Sequence, residues 1–220
     1  MILVKPSVTI LEIMGGIHHS VAINLIELAG RTCYKSEEKI DKDSANGFIH
    51  GIMKRGHESV IEHSAAMVRI ICDRGVTHEI VRHRLVAYSQ ESTRYCNYKG
   101  GVTFVIPPWV DIVPGEYDVH CLSGMKPVDQ DWMSHVYRSE VAYVGLLNQG
   151  WTTQQARSVL PNSLKTEIVC TANFREWRHI FKLRTSKAAH PQMREIMVPL
   201  LSQFKKRIPV IFDDIEVEKN

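Results

Sequence analysis

The chain has 220 residues, of which 44% are hydrophobic, so it is long enough to bury a core without disulfide or metal staples. Its 27 basic and 24 acidic side chains give a net charge of only +3, which argues against a general nucleic-acid binder, because such proteins neutralise many phosphates. Charged residues interrupt every apolar run well short of a membrane span, and the five cysteines include no C-x-x-C pair. We therefore expect a single domain over residues 1–220 in the cytoplasm, with neither a nucleic-acid nor a membrane partner.

The first half of the chain alternates between strand and helix patterns. Alternating apolar and polar residues predict strands, and apolar residues at helical spacing predict helices. These patterns predict a strand over 8–14, helices over 17–31 and 44–56, and a buried strand over 66–72. Gly15-Gly16 should end the first strand, and a turn should occupy residues 73–75. Thr77 is then placed to cap a third helix that contains Glu79 and Arg82 to Arg84.

The second half is predominantly helical. A short strand over 102–106 precedes a stretch rich in proline and glycine, at about 107–127, which predicts an irregular excursion. Beyond it the patterns predict helices over 128–148, 152–159, 174–184 and 191–206, with one more strand over 165–171. No linker splits the chain, and the mixture of strands and helices predicts the α+β class.

The run from Arg82 to Tyr95 contains three arginines, a histidine and several hydroxyl groups, which is typical of an anion-binding segment. The planar guanidinium fork matches phosphate or carboxylate groups. On a helix, Glu79, Arg82 and His83 would share a face while Arg84 would lie about 200° from Arg82. This spacing predicts two anion sites, and the alternative is a solvated basic helix end. Neither glycine-rich phosphate loop is present, so side chains must hold any nucleotide.

Metal binding and nucleophilic catalysis are two other kinds of chemistry that the polar residues could support. The eleven histidines lack metal-site spacing and no H-E-x-x-H motif occurs, so no metal is predicted. Ser92 lacks the G-x-S-x-G elbow of a nucleophilic serine, which favours a role as a phosphate donor. A second basic cluster follows later in the chain, and surface charge is the alternative explanation for each arginine in it. Its members are Arg157, Asn173, Arg175, Arg178 and Arg184.

Five short motifs lie in order between residues 56 and 196. In one of them, Arg82-His83-Arg84 is followed after seven residues by Ser92. The others are Gly56-His57-Glu58-Ser59 with Glu62-His63, Ala156-Arg157 through Pro161, Asn173-x-Arg175 with Leu183-Arg184, and His190-x-Gln192. Together they resemble the motifs of the flavin-dependent thymidylate synthase family, which include the signature R-H-R-x7-S. The resemblance implies a homotetramer of mixed helices and sheet whose active sites combine residues of more than one subunit.

The resemblance also implies a reaction and its site. The methylene group of methylenetetrahydrofolate would be transferred to C5 of dUMP and reduced by FAD hydroquinone, which NADPH regenerates. Two catalytic residues are implied: His57, near flavin and folate, and Arg184, which favours ionisation of uracil N3. The implied FAD contacts are Ser59, Arg82, His83, Arg84, Gln90, Asn173, Arg175 and His179. The implied dUMP contacts are Glu79, Arg82, Gln90, Glu91, Ser92, Thr93, Arg94, Arg157 and Arg184.

Two positions depart from the family pattern, since Glu79 stands where many members have glutamine and His179 where asparagine is also common. Two other functions use the same residues. One is a flavoprotein that methylates a different uracil-containing substrate. The other is a nucleotide- or RNA-binding module without redox chemistry.

Overall fold

The computed structural model describes residues 1–14, 19–118 and 124–218, so the predicted stop at Gly15-Gly16 lies outside the described residues. The strands are β1 (Ile2–Val4), β2 (Ser7–Ile13), β3 (Ala65–Asp73), β4 (Ala87–Gln90), β5 (Thr103–Val105), β6 (Gly115–Glu116) and β7 (Lys165–Asn173). The α-helices are α1 (His19–Tyr34), α2 (Ser44–Lys54), α3 (Arg74–Ile80), α4 (Pro127–Asn148), α5 (Thr153–Ala156), α6 (Phe174–Arg184), α7 (Pro191–Arg207) and α8 (Pro209–Phe212). Short 3₁₀ turns occupy Glu37–Lys39, Glu58–His63 and Arg157–Val159. The α+β class is confirmed.

The strands form two sheets. One has three strands in the order β5-β1-β6, with β1 parallel to β5 and antiparallel to β6. The other has four strands in the order β2-β3-β7-β4. Contacts divide the chain into a first unit (residues 1–7, 71–82 and 89–168) and a second unit (8–70, 83–88 and 169–220). The single domain over residues 1–220 stays a prediction.

The core of the first unit packs the three-stranded sheet against α4. Leu3 and Phe104 from the sheet and Met133 and Tyr143 from α4 are all buried there. The hydroxyl of Tyr143 accepts a hydrogen bond from the backbone N–H of Tyr98 at 3.3 Å. One face of α4 therefore holds the segment that follows the basic run.

The core of the second unit is an aromatic cluster on the buried face of α6. Phe181 contacts Phe204 of α7 and Phe212 of α8, with ring centroids 5.2 and 5.9 Å apart. Trp177 stacks on Phe181 and donates its indole N–H to the carbonyl of Ala66 at 3.1 Å. Such aromatic pairs bury large areas in defined orientations. This packing fixes α6, whose opposite face carries polar residues of the candidate site.

Gly30 lies inside α1 and does not mark its end. A Cβ atom at this position would lie 2.5 Å from the ring of Phe48 in α2, so the glycine permits close approach of the two helices. The helix continues to Tyr34, and Lys35 follows with a positive φ of 49°. The predicted helix over 17–31 is therefore confirmed in type but extends further than expected.

The predicted geometry of the basic run is wrong. The carboxylate of Asp73 accepts the N–H of Val76 at 2.7 Å and so caps α3, which places a helix where a turn was predicted. The helix ends at Ile80, and Arg82 to Arg84 lie in the turns beyond it. The argument from opposite faces of one helix therefore does not hold.

Four further strands and helices were not predicted: β1, β4, β6 and α8. In the predicted irregular stretch at about 107–127, β6 pairs with β1, while residues 119–123 lie outside the described part. Among the described helices, none combines the length and apolar character that crossing a membrane requires.

Candidate active site

The predicted site residues fall into two groups, one in each unit. The first unit contains Glu79, Arg82, Gln90, Glu91, Ser92, Thr93, Arg94 and Arg157. The second contains His57, Ser59, His83, Arg84, Asn173, Arg175, His179 and Arg184.

In the first unit, side chains at the end of β4 anchor the loop that begins there. The amide of Gln90 donates to the hydroxyls of Thr77 and Thr166 at 3.1 and 3.2 Å. The carboxylate of Glu91 accepts the hydroxyl of Tyr98 at 2.6 Å and the ammonium of Lys165 at 3.1 Å. Burial and the bond to Glu91 raise the pKa of Tyr98, so the phenol keeps its proton. Gln90 and Glu91 thus hold the loop through their side chains.

Beyond this anchor, Ser92 to Arg94 form a turn beside two exposed guanidiniums. The Ser92 hydroxyl accepts the N–H of Arg94 at 3.3 Å, and Arg157 donates to the Thr93 hydroxyl at 3.1 Å. The Nε of Arg94 donates to Gln154 of α5 at 3.1 Å. A hydroxyl and two cations on a braced loop are suited to binding an anion such as phosphate.

Glu79 and Arg82 flank the end of α3. The N–H of Arg82 donates to the carbonyl of Glu79 at 3.3 Å, and the Arg82 side chain is exposed. Glu79 is partly buried. The two residues are neighbours through the backbone at this helix end.

The second unit contains a cavity of about 680 Å³ beside the polar face of α6. Three predicted cofactor contacts line it: Asn173, Arg175 and His179. The remaining lining residues are Glu58, Glu62, Leu85, Glu176 and Lys182, none of which the sequence analysis assigned a role. The side-chain oxygen (Oδ1) of Asn173 accepts a hydrogen bond from the backbone N–H of Glu176 at 2.8 Å and so caps α6. Arg175 contacts Glu62 at 2.5 Å.

Arg178 is buried, although surface charge was the alternative assigned to it. Its guanidinium contacts the carboxylate of Glu58 at 3.3 Å, that of Asp214 at 2.5 Å and the carbonyl of Ile211. The bond from Arg178 lowers the pKa of Asp214. Arg178 therefore ties the 3₁₀ turn that carries Glu58 to the segment after α8, and this fixes one wall of the cavity.

His57 precedes the same 3₁₀ turn and is exposed, as is Ser59. The Nδ1 atom of His57 lies 3.3 Å from the hydroxyl of Tyr34, at the end of α1. Tyr34 is a neighbour that no motif indicated. Its hydroxyl lies within hydrogen-bond distance of the His57 ring.

His83 and Arg184 meet in the second unit. The Nε of Arg184 donates to Nε2 of His83 at 3.0 Å, and the Nδ1 of His83 lies 3.6 Å from a carboxylate oxygen of Glu176. The His83 ring also contacts His179 edge-on, with centroids 5.9 Å apart. Burial, Arg184 and His179 lower the pKa of His83 from 6.5 to about 4, so the imidazole is neutral near neutral pH.

Comparison with known proteins identifies the family. The sequence profile described as "Thymidylate synthase complementing protein" matches residues 17–210. A flavin-dependent thymidylate synthase of Mycobacterium tuberculosis is 34% identical over 202 residues, which cover 88% of this chain and 79% of that protein. One of Corynebacterium efficiens is 32% identical over 200 residues, covering 88% and 80%. This chain belongs to the flavin-dependent thymidylate synthase family. The family that its motifs predicted is confirmed.

Within this member of the flavin-dependent thymidylate synthase family, motifs that are distant in sequence make direct contacts. Glu62 of the G-H-x-S-x-x-E-H segment contacts Arg175 of N-x-R, and His83 of R-H-R contacts Arg184 of L-R. Residues more than 100 positions apart are thereby brought into one unit. The spacing of single motifs does not contain this information.

Proposed function

We propose that this protein catalyses the reductive methylation of dUMP to dTMP. Methylenetetrahydrofolate is the carbon donor, FAD the hydride carrier and NADPH the reductant. Family membership supports the proposal, and the observation that carries it is the contact of Arg184 with His83 beside a cavity of about 680 Å³. This volume lies within the roughly 300–1,000 Å³ usual for small-molecule sites.

The donors around the cavity fit FAD. Arg175 and Lys182 are cations suited to its pyrophosphate. The Arg175 and Glu62 side chains are 53% and 41% exposed, so solvent screens their ion pair, which contributes little to stability, and a phosphate can replace Glu62 at small cost. Because the side-chain oxygen of Asn173 caps α6, the NH₂ group of the same side chain is the group that would donate to the cofactor.

We assign the FAD contacts to Ser59, Arg82, Arg84, Asn173, Arg175 and His179. The side chains of His83 and Gln90 are held by Arg184 and by Thr77 and Thr166, so we assign these two residues to shaping the site. When bound, FAD supplies the hydride that reduces the transferred methylene group. The chain's own contribution is to bind and orient the reactants.

The phosphate of dUMP is assigned to Ser92, Arg94 and Arg157. Charge-assisted hydrogen bonds contribute about 1.5–3 kcal/mol each, so three or four give roughly 5–12 kcal/mol before ordering costs. Micromolar binding needs about 8 kcal/mol. These side chains can therefore hold a nucleotide without a phosphate loop.

The other residues proposed for the dUMP site have roles other than binding the phosphate. The side chains of Gln90 and Glu91 are committed to the anchor of the loop, so we assign them to shaping the nucleotide site. Thr93, Glu79 and Arg82 complete the proposed set.

Arg184 is assigned to the ionisation of uracil N3. A guanidinium fixed next to a developing anion is preorganised electrostatic stabilisation, and charge at N3 makes C5 a better nucleophile. The bond to His83 anchors one edge of the guanidinium and thereby orients its plane. His57, beside Tyr34, is assigned to the region of flavin and folate.

A homotetramer with active sites at subunit interfaces is part of the proposal. In α1, Val21, Leu25 and Leu28 are exposed at i, i+4 and i+7, while Ala22, Ile23 and Ile26 are buried. An exposed apolar stripe of this kind is typical of an interface. Light scattering should give a mass of about 100 kDa for a 25.1 kDa chain, and Leu25→Glu should lower it. A monomeric wild type would contradict the proposal.

Colour and isotope release test the activity. The protein reconstituted with FAD should be yellow and should bleach with NADPH when dUMP is present. Tritium should leave C5 of labelled dUMP, and full turnover should require both reductant and methylenetetrahydrofolate. A protein that stays colourless with added FAD would refute the proposed function. Tritium release from another uracil compound alone would instead support a different substrate.

A further inference from the structure

The contacts of His83 determine which of its nitrogen atoms carries the proton. The Nε of an arginine side chain can only donate, so the His83 Nε2 that lies 3.0 Å from it must present a lone pair. In a neutral imidazole the proton then resides on Nδ1, the atom that faces Glu176 Oε1 at 3.6 Å. Both His83 and Glu176 are buried, so their side chains have little freedom to separate.

We propose that Glu176 is a positioning residue that acts through His83 on Arg184. The carboxylate attracts the proton to Nδ1 of His83, and Nε2 is thereby kept as the acceptor for the Arg184 guanidinium. The opposite tautomer would set two N–H donors against each other and break the bond between Arg184 and His83. This inference rests on the proposed function for the catalytic role of Arg184, and it adds Glu176, which no family motif includes.

The surrounding charges support this arrangement. Glu176, His179 and Arg184 of α6 face His83, and the Tyr88 hydroxyl donates to the His83 carbonyl at 2.9 Å. Burial, Arg184 and His179 lower the pKa of His83 to about 4, so the ring stays neutral and Nε2 keeps its lone pair across the neutral range. Burial raises the pKa of Glu176 above its ordinary value, and the nearby His179 offsets only part of this effect.

A metal ion is the competing explanation for the same side chains. His83, Glu176 and His179 can each place one ligand atom within 4.8 Å of the others. The Nε2 lone pair of His83, however, is used by Arg184, and the guanidinium would repel a bound cation. The hydrogen-bond arrangement is therefore favoured over a metal site.

Two variants separate an acceptor role from simple packing. Glu176→Gln keeps a carbonyl oxygen that can face Nδ1–H, whereas Glu176→Leu removes the acceptor and keeps the volume approximately. In the FAD-loaded enzyme, Glu176→Leu should lower kcat for tritium release about 10- to 100-fold, because Arg184 loses a charge-assisted bond. With FAD kept saturating, the KM for dUMP should change by less than about threefold, and Glu176→Gln should restore most of kcat.

The tautomer itself can be measured without turnover. Solid-state nitrogen-15 spectra of the histidine-labelled holoenzyme distinguish protonated Nδ1 from protonated Nε2, and the signals that disappear in His83→Gln identify His83. Wild type should show protonated Nδ1, and Glu176→Leu should shift His83 towards protonated Nε2. Protonated Nε2 in wild type, or an unchanged His83 spectrum in Glu176→Leu, would overturn the inference.

The outcomes distinguish this inference from the proposed function. If wild type releases no tritium, the proposed function fails, although the spectra still decide the tautomer. If wild type turns over and Glu176→Leu keeps its kcat, the positioning role fails alone. A change in the His83 signals on adding zinc chloride would assign the cluster to a metal and overturn the inference.

Discussion

Replacing Arg178 by methionine should destabilise the protein far more than the same replacement of Arg175, three residues earlier on α6. Arg178 is buried and bonds to Glu58, Asp214 and the carbonyl of Ile211. Arg175 pairs with Glu62 at the surface. The two variants remove the same chemical group from the same helix, so they form a matched pair.

The expected magnitudes follow from burial. Removing one partner of a buried ion pair typically costs about 3–5 kcal/mol. The Asp214 side chain is 61% exposed, and Glu58 keeps Lys182 at 3.8 Å, so neither carboxylate is stranded. We therefore expect about 3 kcal/mol for Arg178→Met, the lower end of that range. Arg175→Met should change the free energy of unfolding little, because solvent screens this exposed ion pair.

Urea unfolding of the FAD-free protein, followed by circular dichroism at one fixed protein concentration, measures both values. The bond from Arg178 holds the pKa of Asp214 below its ordinary 3.8. The contribution of this bond to the free energy of unfolding is therefore present above pH 3.8 and is lost as the pH falls further. The difference between wild type and Arg178→Met should therefore narrow in acid. Equal losses for the two variants would refute the structural role of Arg178.

Four other predictions concern the site. The pKa of His83 is about 4 in the folded chain and ordinarily 6.5, so between these pH values only the unfolded chain gains a proton at this residue. The free energy of unfolding of wild type should therefore fall by up to about 3 kcal/mol as the pH falls from 6.5 to 4. His83→Gln should lose less, and parallel pH curves for the two proteins would contradict this. Ser92→Ala should raise the KM for dUMP roughly tenfold or more and keep some turnover; complete loss with dUMP still bound would instead indicate a nucleophile. Lys165→Met, which removes a partner of Glu91, should lower the melting temperature and raise the KM for dUMP, and an unchanged KM would argue against the loop anchor. Arg184→Ala should lower kcat far more than FAD affinity, and equal losses would argue against its catalytic role.

The elements best predicted from sequence are those with strong local signals. The helix Phe174–Arg184 was predicted with its observed bounds, and the structure shows a local signal for its start, because the Asn173 side chain caps it. The three-residue strand β1 was missed, because it depends on pairing with residues 103–105, about 100 positions away. Asp73 was assigned to a turn because a helix cap and a turn favour the same residue type.

The motifs predicted many residues of the site, but not which side chains contact each other. Motifs named His83 and Arg184, while Glu176, which contacts His83, belongs to no motif. Arg178 resembled surface charge because its partners Asp214 and Ile211 lie more than 30 residues away in segments without a sequence signal. Contacts of this kind arise from tertiary packing, which spacing along the chain does not specify.

The identity of the folate product tests the central claim most directly. If the reducing hydride comes from FAD, as proposed, then purified protein with dUMP, methylenetetrahydrofolate, FAD and NADPH should form dTMP and tetrahydrofolate in equal amounts. Mass spectrometry of the quenched reaction measures both products. Formation of dihydrofolate in place of tetrahydrofolate, or the absence of dTMP from a yellow and reducible protein, would contradict the account.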